Sequence, residues 1–87
     1  MKTHPSHKKI VMRLKRARGH LDKVISMIER EEPCTPTAQQ LHAVVRALEQ
    51  SKRIYVEDHI NHCIRTDVSP QEAEALLTDL KEIAKYL

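Results

Sequence analysis

Glycine is nearly absent from this 87-residue chain, with Gly19 the only one, so no Gly-rich loop for cradling a phosphate can be drawn. Aromatic residues are almost as scarce: Tyr55 and Tyr86 are present, and Trp and Phe are missing. A core must therefore be made of Leu, Ile, Val, Met and Ala, which favours helix packed on helix over a large ring-lined pocket. No apolar run reaches the length needed to cross a membrane. The start, Met1-Lys2-Thr3-His4-Pro5, lacks the apolar stretch of a signal peptide, so a cytoplasmic location is expected. In such a reducing compartment the two cysteines read as thiols or ligands rather than as a structural disulfide. No nucleophile–base arrangement is evident and the chain is short for a formed pocket, so an enzyme is not expected.

Acid is also absent from the first 20 residues, which hold seven bases: Lys2, Lys8, Lys9, Arg13, Lys15, Arg16 and Arg18. Residues 21–87 carry the other eight bases against twelve acids, a balance of −4. A basic helix face is often only a solvated face. A segment this one-sided points further, to a polyanion such as nucleic acid.

What is present reads as a single all-α domain over residues 1–87. Prolines at 5, 33, 36 and 70 divide it into three segments with helical periodicity. The first helix is expected over about 6–31, with Ile10, Leu14, Ala17, Leu21, Val24, Ile25 and Ile28 on one stripe. Gly19 inside it costs about 1 kcal/mol relative to Ala. It stands either for the close approach of another helix or of DNA, or for a tolerated defect. The second is expected over about 36–64, capped by Thr35 with Pro36 at its first position, and carries Leu41, Val44, Val45, Leu48 and Tyr55. The third is expected over about 70–86, opened by the capping box Ser69-Pro70-Gln71-Glu72, with Ala73, Leu76, Leu77, Leu80, Ile83, Ala84 and Leu87 as its apolar face.

His59 and Cys63 stand four residues apart on an unbroken helix, so both side chains leave one face, a turn apart, within reach of one metal ion. Taken singly, a surface His and a small buried Cys would be the ordinary reading. Cys34 changes this. It opens the same helix, about 35 Å from His59 at helical rise, so one straight chain cannot join them. If two such helices pack antiparallel, Cys34 of one copy faces His59 and Cys63 of the other, and symmetry gives two identical sites. Two thiolates and an imidazole favour Cu(I) and also suit zinc. Three ligands satisfy trigonal Cu(I) but leave Zn(II) or Ni(II) one short, a gap that His4 or His7 could fill.

Three stretches together resemble the copper-sensitive operon repressor family. They are Arg13-Leu14-Lys15-Arg16-Ala17-Arg18-Gly19-His20-Leu21-Asp22, then Cys34, then Glu57-Asp58-His59-Ile60-Asn61-His62-Cys63. That family includes copper, nickel/cobalt, formaldehyde and persulfide sensors. The resemblance spans nearly the whole chain and implies an antiparallel helical bundle in a dimer, usually paired into a homotetramer. It also implies binding to double-stranded operator DNA without ligand and release on binding the inducer. The copper ligands of the family match Cys34, His59 and Cys63. A carboxylate in the last helix that links site and DNA surface is matched by Asp79, one methylene shorter than the usual Glu.

Pro33 departs from the Tyr that copper sensors often carry before the first Cys. His59 argues against a persulfide sensor, and Met1-Lys2 against the N-terminal Pro of a formaldehyde sensor. The expectation is a Cu(I)-responsive repressor, with a Ni(II)/Co(II) sensor that recruits His4 or His7 as the alternative. A metal buffer that binds no DNA ranks below both. The DNA surface is expected at Lys8, Lys9, Arg13, Lys15, Arg16 and Arg18, joined by Lys52 and Arg53, mostly through phosphate contacts.

Overall fold

The computed structural model describes residues 6–63 and 69–87, except for the side chain of Cys63. Its elements are α1 (His7–Glu29), α2 (Cys34–Cys63), α3 (Pro70–Ile83) and a closing 3-10 turn (Ala84–Tyr86). No strand occurs among the described residues.

α1 and α2 form an antiparallel hairpin whose seam repeats every seven residues. Ile10, Ala17 and Val24 are buried from α1, and Thr37, Val44 and Ser51 from α2, with Met27 and Val56 completing the interior. A seven-residue repeat is the signature of helices wound gently about each other. The two polar seam residues turn their hydroxyls back to their own helix: Thr37 Oγ1 donates to the Pro33 carbonyl at 2.9 Å and Ser51 Oγ to the Ala47 carbonyl at 3.0 Å. Both are therefore satisfied and small enough to let the backbones approach.

At the α1–α2 junction two boundaries differ from the sequence expectation. α1 ends at Glu29, because Arg30 caps it and Glu31 turns left-handed at φ 53°. The Glu31 amide then donates to the Ile28 carbonyl and that of Glu32 to the Met27 carbonyl, both at 3.0 Å, the paired closure that glycine usually makes. α2 begins at Cys34, ahead of the expected Pro36, so Thr35 lies inside the helix rather than capping it. Pro36 is tolerated there because first-turn amides have no partner inside the helix. The capping box of α3 forms as expected, with the Glu72 amide donating to Ser69 Oγ at 3.2 Å and Pro70 opening the helix. The expected end of the second helix at Ile64 lies outside the described residues.

The molecule is a thin slab of 58 × 22 × 14 Å. Its radius of gyration is 18.0 Å, where a compact chain of this length would have about 12 Å. Among the described residues six hydrophobic residues are buried, whereas thirteen large hydrophobic side chains are exposed. The stripe read from α1 is in fact two seams. Ile10, Ala17 and Val24 face α2, while Leu14, Leu21, Ile25 and Ile28 are left open, as are Leu41, Val45, Leu48 and Tyr55 on α2. Ala73 and Leu77 of α3 are likewise exposed.

Candidate functional site

His59 lies on the penultimate turn of α2, and α3 folds back against it. Its Nε2 stands 2.5 Å from Asp79 Oδ2, and the side chains are 26% and 53% exposed. A carboxylate accepts, so Nε2–H is the donor of this contact. A carboxylate that fixes the tautomer and ring orientation in this way is the usual support for a ligating histidine. Cys63 closes α2 one turn beyond, and its side chain lies outside the described residues.

Cys34 is a free, exposed thiol at the opposite end of α2. It sits between two shallow hollows, one floored by Ile28, Thr37, Ala38 and Leu41, the other edged by Ala38, Gln39 and His42. The ground around the thiol is open and largely apolar. Twenty-five residues of unbroken helix separate Cys34 from His59, about 37 Å at helical rise. Among the described residues of one chain, no group of three or more His, Cys, Asp or Glu side chains is placed to hold a metal ion.

Of the two N-terminal histidines named from the sequence, His4 lies outside the described residues. His7 is held at the His59 end of α2. Its ring stacks on Tyr55, with centroids 5.3 Å apart and planes 18° apart, and its Nε2 is 3.9 Å from Asp58 Oδ2. Sequence reasoning did not pair His7 with Tyr55, which it had counted as part of an apolar stripe. Nothing local could reveal this, because the partners meet only once the hairpin closes. A second cross-hairpin link was missed for the same reason: His20 Nε2 donates to Gln40 Oε1 at 2.6 Å.

Lys8, Lys9, Arg13, Lys15, Arg16 and Arg18 are all exposed along α1, and Lys52 and Arg53 are exposed on α2. Among the described residues none of these eight is paired with an acid. Lys52 shares the side of α2 that carries Leu48 and Tyr55, four residues before it and three after.

Residues 6–87 match the model of a family described as metal-sensitive transcriptional repressors. The chain belongs to this family. Members of the metal-sensitive transcriptional repressor family are repressors, not enzymes. The copper-sensing transcriptional repressor CsoR of Mycobacterium ulcerans (strain Agy99) is 35% identical over 74 residues, which are 85% of this chain and 63% of that protein. The CsoR of Mycobacterium bovis (strain BCG / Pasteur 1173P2) is 32% identical over 74 residues, 85% of this chain and 62% of that one. The chain thus spans less than two thirds of the length of these curated relatives. A solved structure, the nickel-responsive transcriptional regulator InrS, superposes with a TM-score of 0.79 at 33% identity, over 100% of this chain and 99% of that one. No helix among the described residues is long and apolar enough to cross a membrane.

Proposed function

We propose that this chain represses transcription by binding operator DNA in its metal-free form and releases it when a soft metal ion, Cu(I) foremost, binds between two subunits. Cys34 of one subunit and His59 with Cys63 of the other would hold the ion. The observation that carries this reading is the placement of the donors on α2. Cys34, Leu41, Val45, Leu48, His59 and Cys63 recur at helical spacing along one side, and the described members between the two ends are exposed hydrophobics.

A second copy laid antiparallel on that stripe, with Leu48 against Leu48, brings Leu41 opposite Tyr55. The same register sets Cys34 opposite the turn that holds His59 and Cys63. The apolar stripe and the donor set thus ask for one pairing. The surface area supports it too. The chain exposes 7116 Å², where a compact monomer of this mass exposes about 5,300 Å². An excess of roughly 1,800 Å² per subunit suits an obligate homodimer. Pairing of dimers into a homotetramer follows from the family resemblance.

Two thiolates and one imidazole form a soft, three-donor set, which suits Cu(I) and its low coordination number. The metal would neutralise the thiolates and tie the two ends of the dimer together. The chain's own contribution is orientation: Asp79 holds the His59 ring through Nε2 and leaves Nδ1 as the coordinating nitrogen. Because Asp79 is on α3, a change at His59 is felt by that helix as well. A coupling of about 1–3 kcal/mol between metal and DNA would be ordinary for such a switch.

A second reading keeps the fold and takes Ni(II) or Co(II), with Zn(II) behind them. The observation in its favour is His7, whose ring lies beside Asp58, next to His59, where a fourth donor would be wanted. His4 is the other candidate donor.

The test titrates a protein–operator complex with Cu(I), Ni(II), Co(II), Zn(II) and formaldehyde in parallel. Release by Cu(I) is expected, with Cys34→Ala binding DNA normally but no longer responding. Continued release of the Cys34→Ala protein by Cu(I) would remove the site assignment. Release by Ni(II) that depends on His7 or His4 would move the reading to the second metal class.

A further inference from the structure

We infer that Lys52 and Glu49 form ion pairs between two copies of this chain, and that these pairs fix the register of the antiparallel dimer. This rests on the shared-site reading above and deepens it, taking Lys52 from the expected DNA surface to the subunit interface. Lys52 stands seven residues after Val45, four after Leu48, three before Tyr55 and seven before His59. It therefore lies within the open stripe of α2 rather than beside it. It is the one charged side chain among Leu41, Val45, Leu48, Lys52 and Tyr55, all of which are exposed. A second copy seated on that stripe must cover an ammonium group along with the hydrophobics. A covered charge is costly unless an anion meets it. A single polar residue in such a seam commonly specifies register at a cost in stability.

Glu49 supplies that anion. It follows Leu48 directly and stands four residues after Val45, which puts it on the border of the stripe. Glu49 and Lys52 are three residues apart on one helix and both are exposed, yet among the described residues neither side chain has a partner. With Leu48 laid against Leu48, Lys52 of one copy and Glu49 of the other lie five residues apart along the axis, about 7.5 Å at helical rise. A lysine stem running over the apolar stripe carries its ammonium across that gap to the rim. The two-fold axis repeats the contact, so each dimer holds two such pairs. Other arrangements lose both. Sliding one copy by a heptad in one direction brings the two Lys52 side chains together. Sliding it the other way separates Lys52 from Glu49 by about 18 Å. A parallel pair centred on Leu48 also sets Lys52 against Lys52. The charges thus reject the registers in which Cys34 would miss His59 and Cys63.

The test uses two variants of the full chain, Glu49→Lys and Lys52→Glu, alone and refolded together. Sedimentation reads dimer affinity, and native mass spectrometry reads which chains have paired. Each variant alone sets like charges across the interface and should dissociate at least tenfold more readily than wild type. Together they restore opposite charges at both contacts, so mixed pairs should exceed the half share that random pairing gives. Arg53→Glu refolded with Glu57→Lys makes the same charge changes on the far side of α2 and should pair at random. Random pairing of the Glu49 and Lys52 variants would overturn the inference, as would an equal preference in the control. Lys52→Met keeps the stripe apolar and should remain dimeric. A tenfold loss of DNA affinity in that dimer would return Lys52 to the DNA surface and overturn the inference as well. A wild-type protein that stays monomeric would overturn the shared-site reading and this inference together. Preferred mixed pairs that bind no Cu(I) would uphold the contact and overturn the metal reading instead.

Discussion

Glu31 holds a left-handed backbone, φ 53°, at the position where a helix usually ends on glycine. For a residue with a Cβ this conformation costs on the order of 1 kcal/mol. Glu31→Gly should therefore stabilise the hairpin by about 1 kcal/mol, seen as a higher melting temperature with metal binding unchanged. A lower melting temperature would mean that the Glu31 side chain does more than turn the chain. Asp79 is the other residue on which the proposed function bears, through its contact with His59. Over half of its side chain is exposed, so removing it should barely alter stability. It orients His59, however, and outer-shell partners of metal ligands commonly carry about 10–100-fold in affinity. Asp79→Ala should thus weaken metal binding by that order in a competition titration while the metal-free protein still binds DNA. Undiminished metal affinity would show that the contact with His59 is incidental.

Among the elements, three helices were legible because hydrophobic spacing, the Ser69 cap and the prolines all bear on the local chain. The division of α1's apolar stripe was not. Ile10, Ala17 and Val24 differ from Leu14, Leu21 and Ile25 only in which neighbour covers them, and a sequence does not name neighbours. Thr37 and Ser51 were invisible as seam residues because their polarity is satisfied by their own helix. The early start of α2 escaped notice because Pro36 fits any first-turn position. Of the candidate site, the His59–Cys63 spacing was local and legible. The meeting of His7 with Tyr55 needed the folded hairpin. The open stripe on α2 carries its own prediction. If Leu48 meets its counterpart at the centre of an antiparallel pair, Leu48→Glu sets two carboxylates against each other in an apolar seam. Sedimentation should then show loss of the dimer and, with it, of metal binding. A Leu48→Glu protein that remains dimeric would move the contact elsewhere.

At the scale of the whole molecule, a slab 14 Å thick is one layer of helices and cannot be a finished globule. Among the described residues thirteen large hydrophobics are exposed, and the proposed donors lie at opposite ends of α2. A copy packed antiparallel would supply both a core and the missing ligands, so folding, assembly and sensing become one event. Mixing two defective chains tests this most directly. Neither Cys34→Ala nor His59→Ala should bind Cu(I) tightly alone. A heterodimer of the two regains one complete site, built from Cys34 of the His59→Ala chain and from His59 and Cys63 of the Cys34→Ala chain. The mixture should therefore recover tight Cu(I) binding at one ion per heterodimer. Failure of the mixed dimers to bind Cu(I), with assembly verified, would contradict a site shared between subunits.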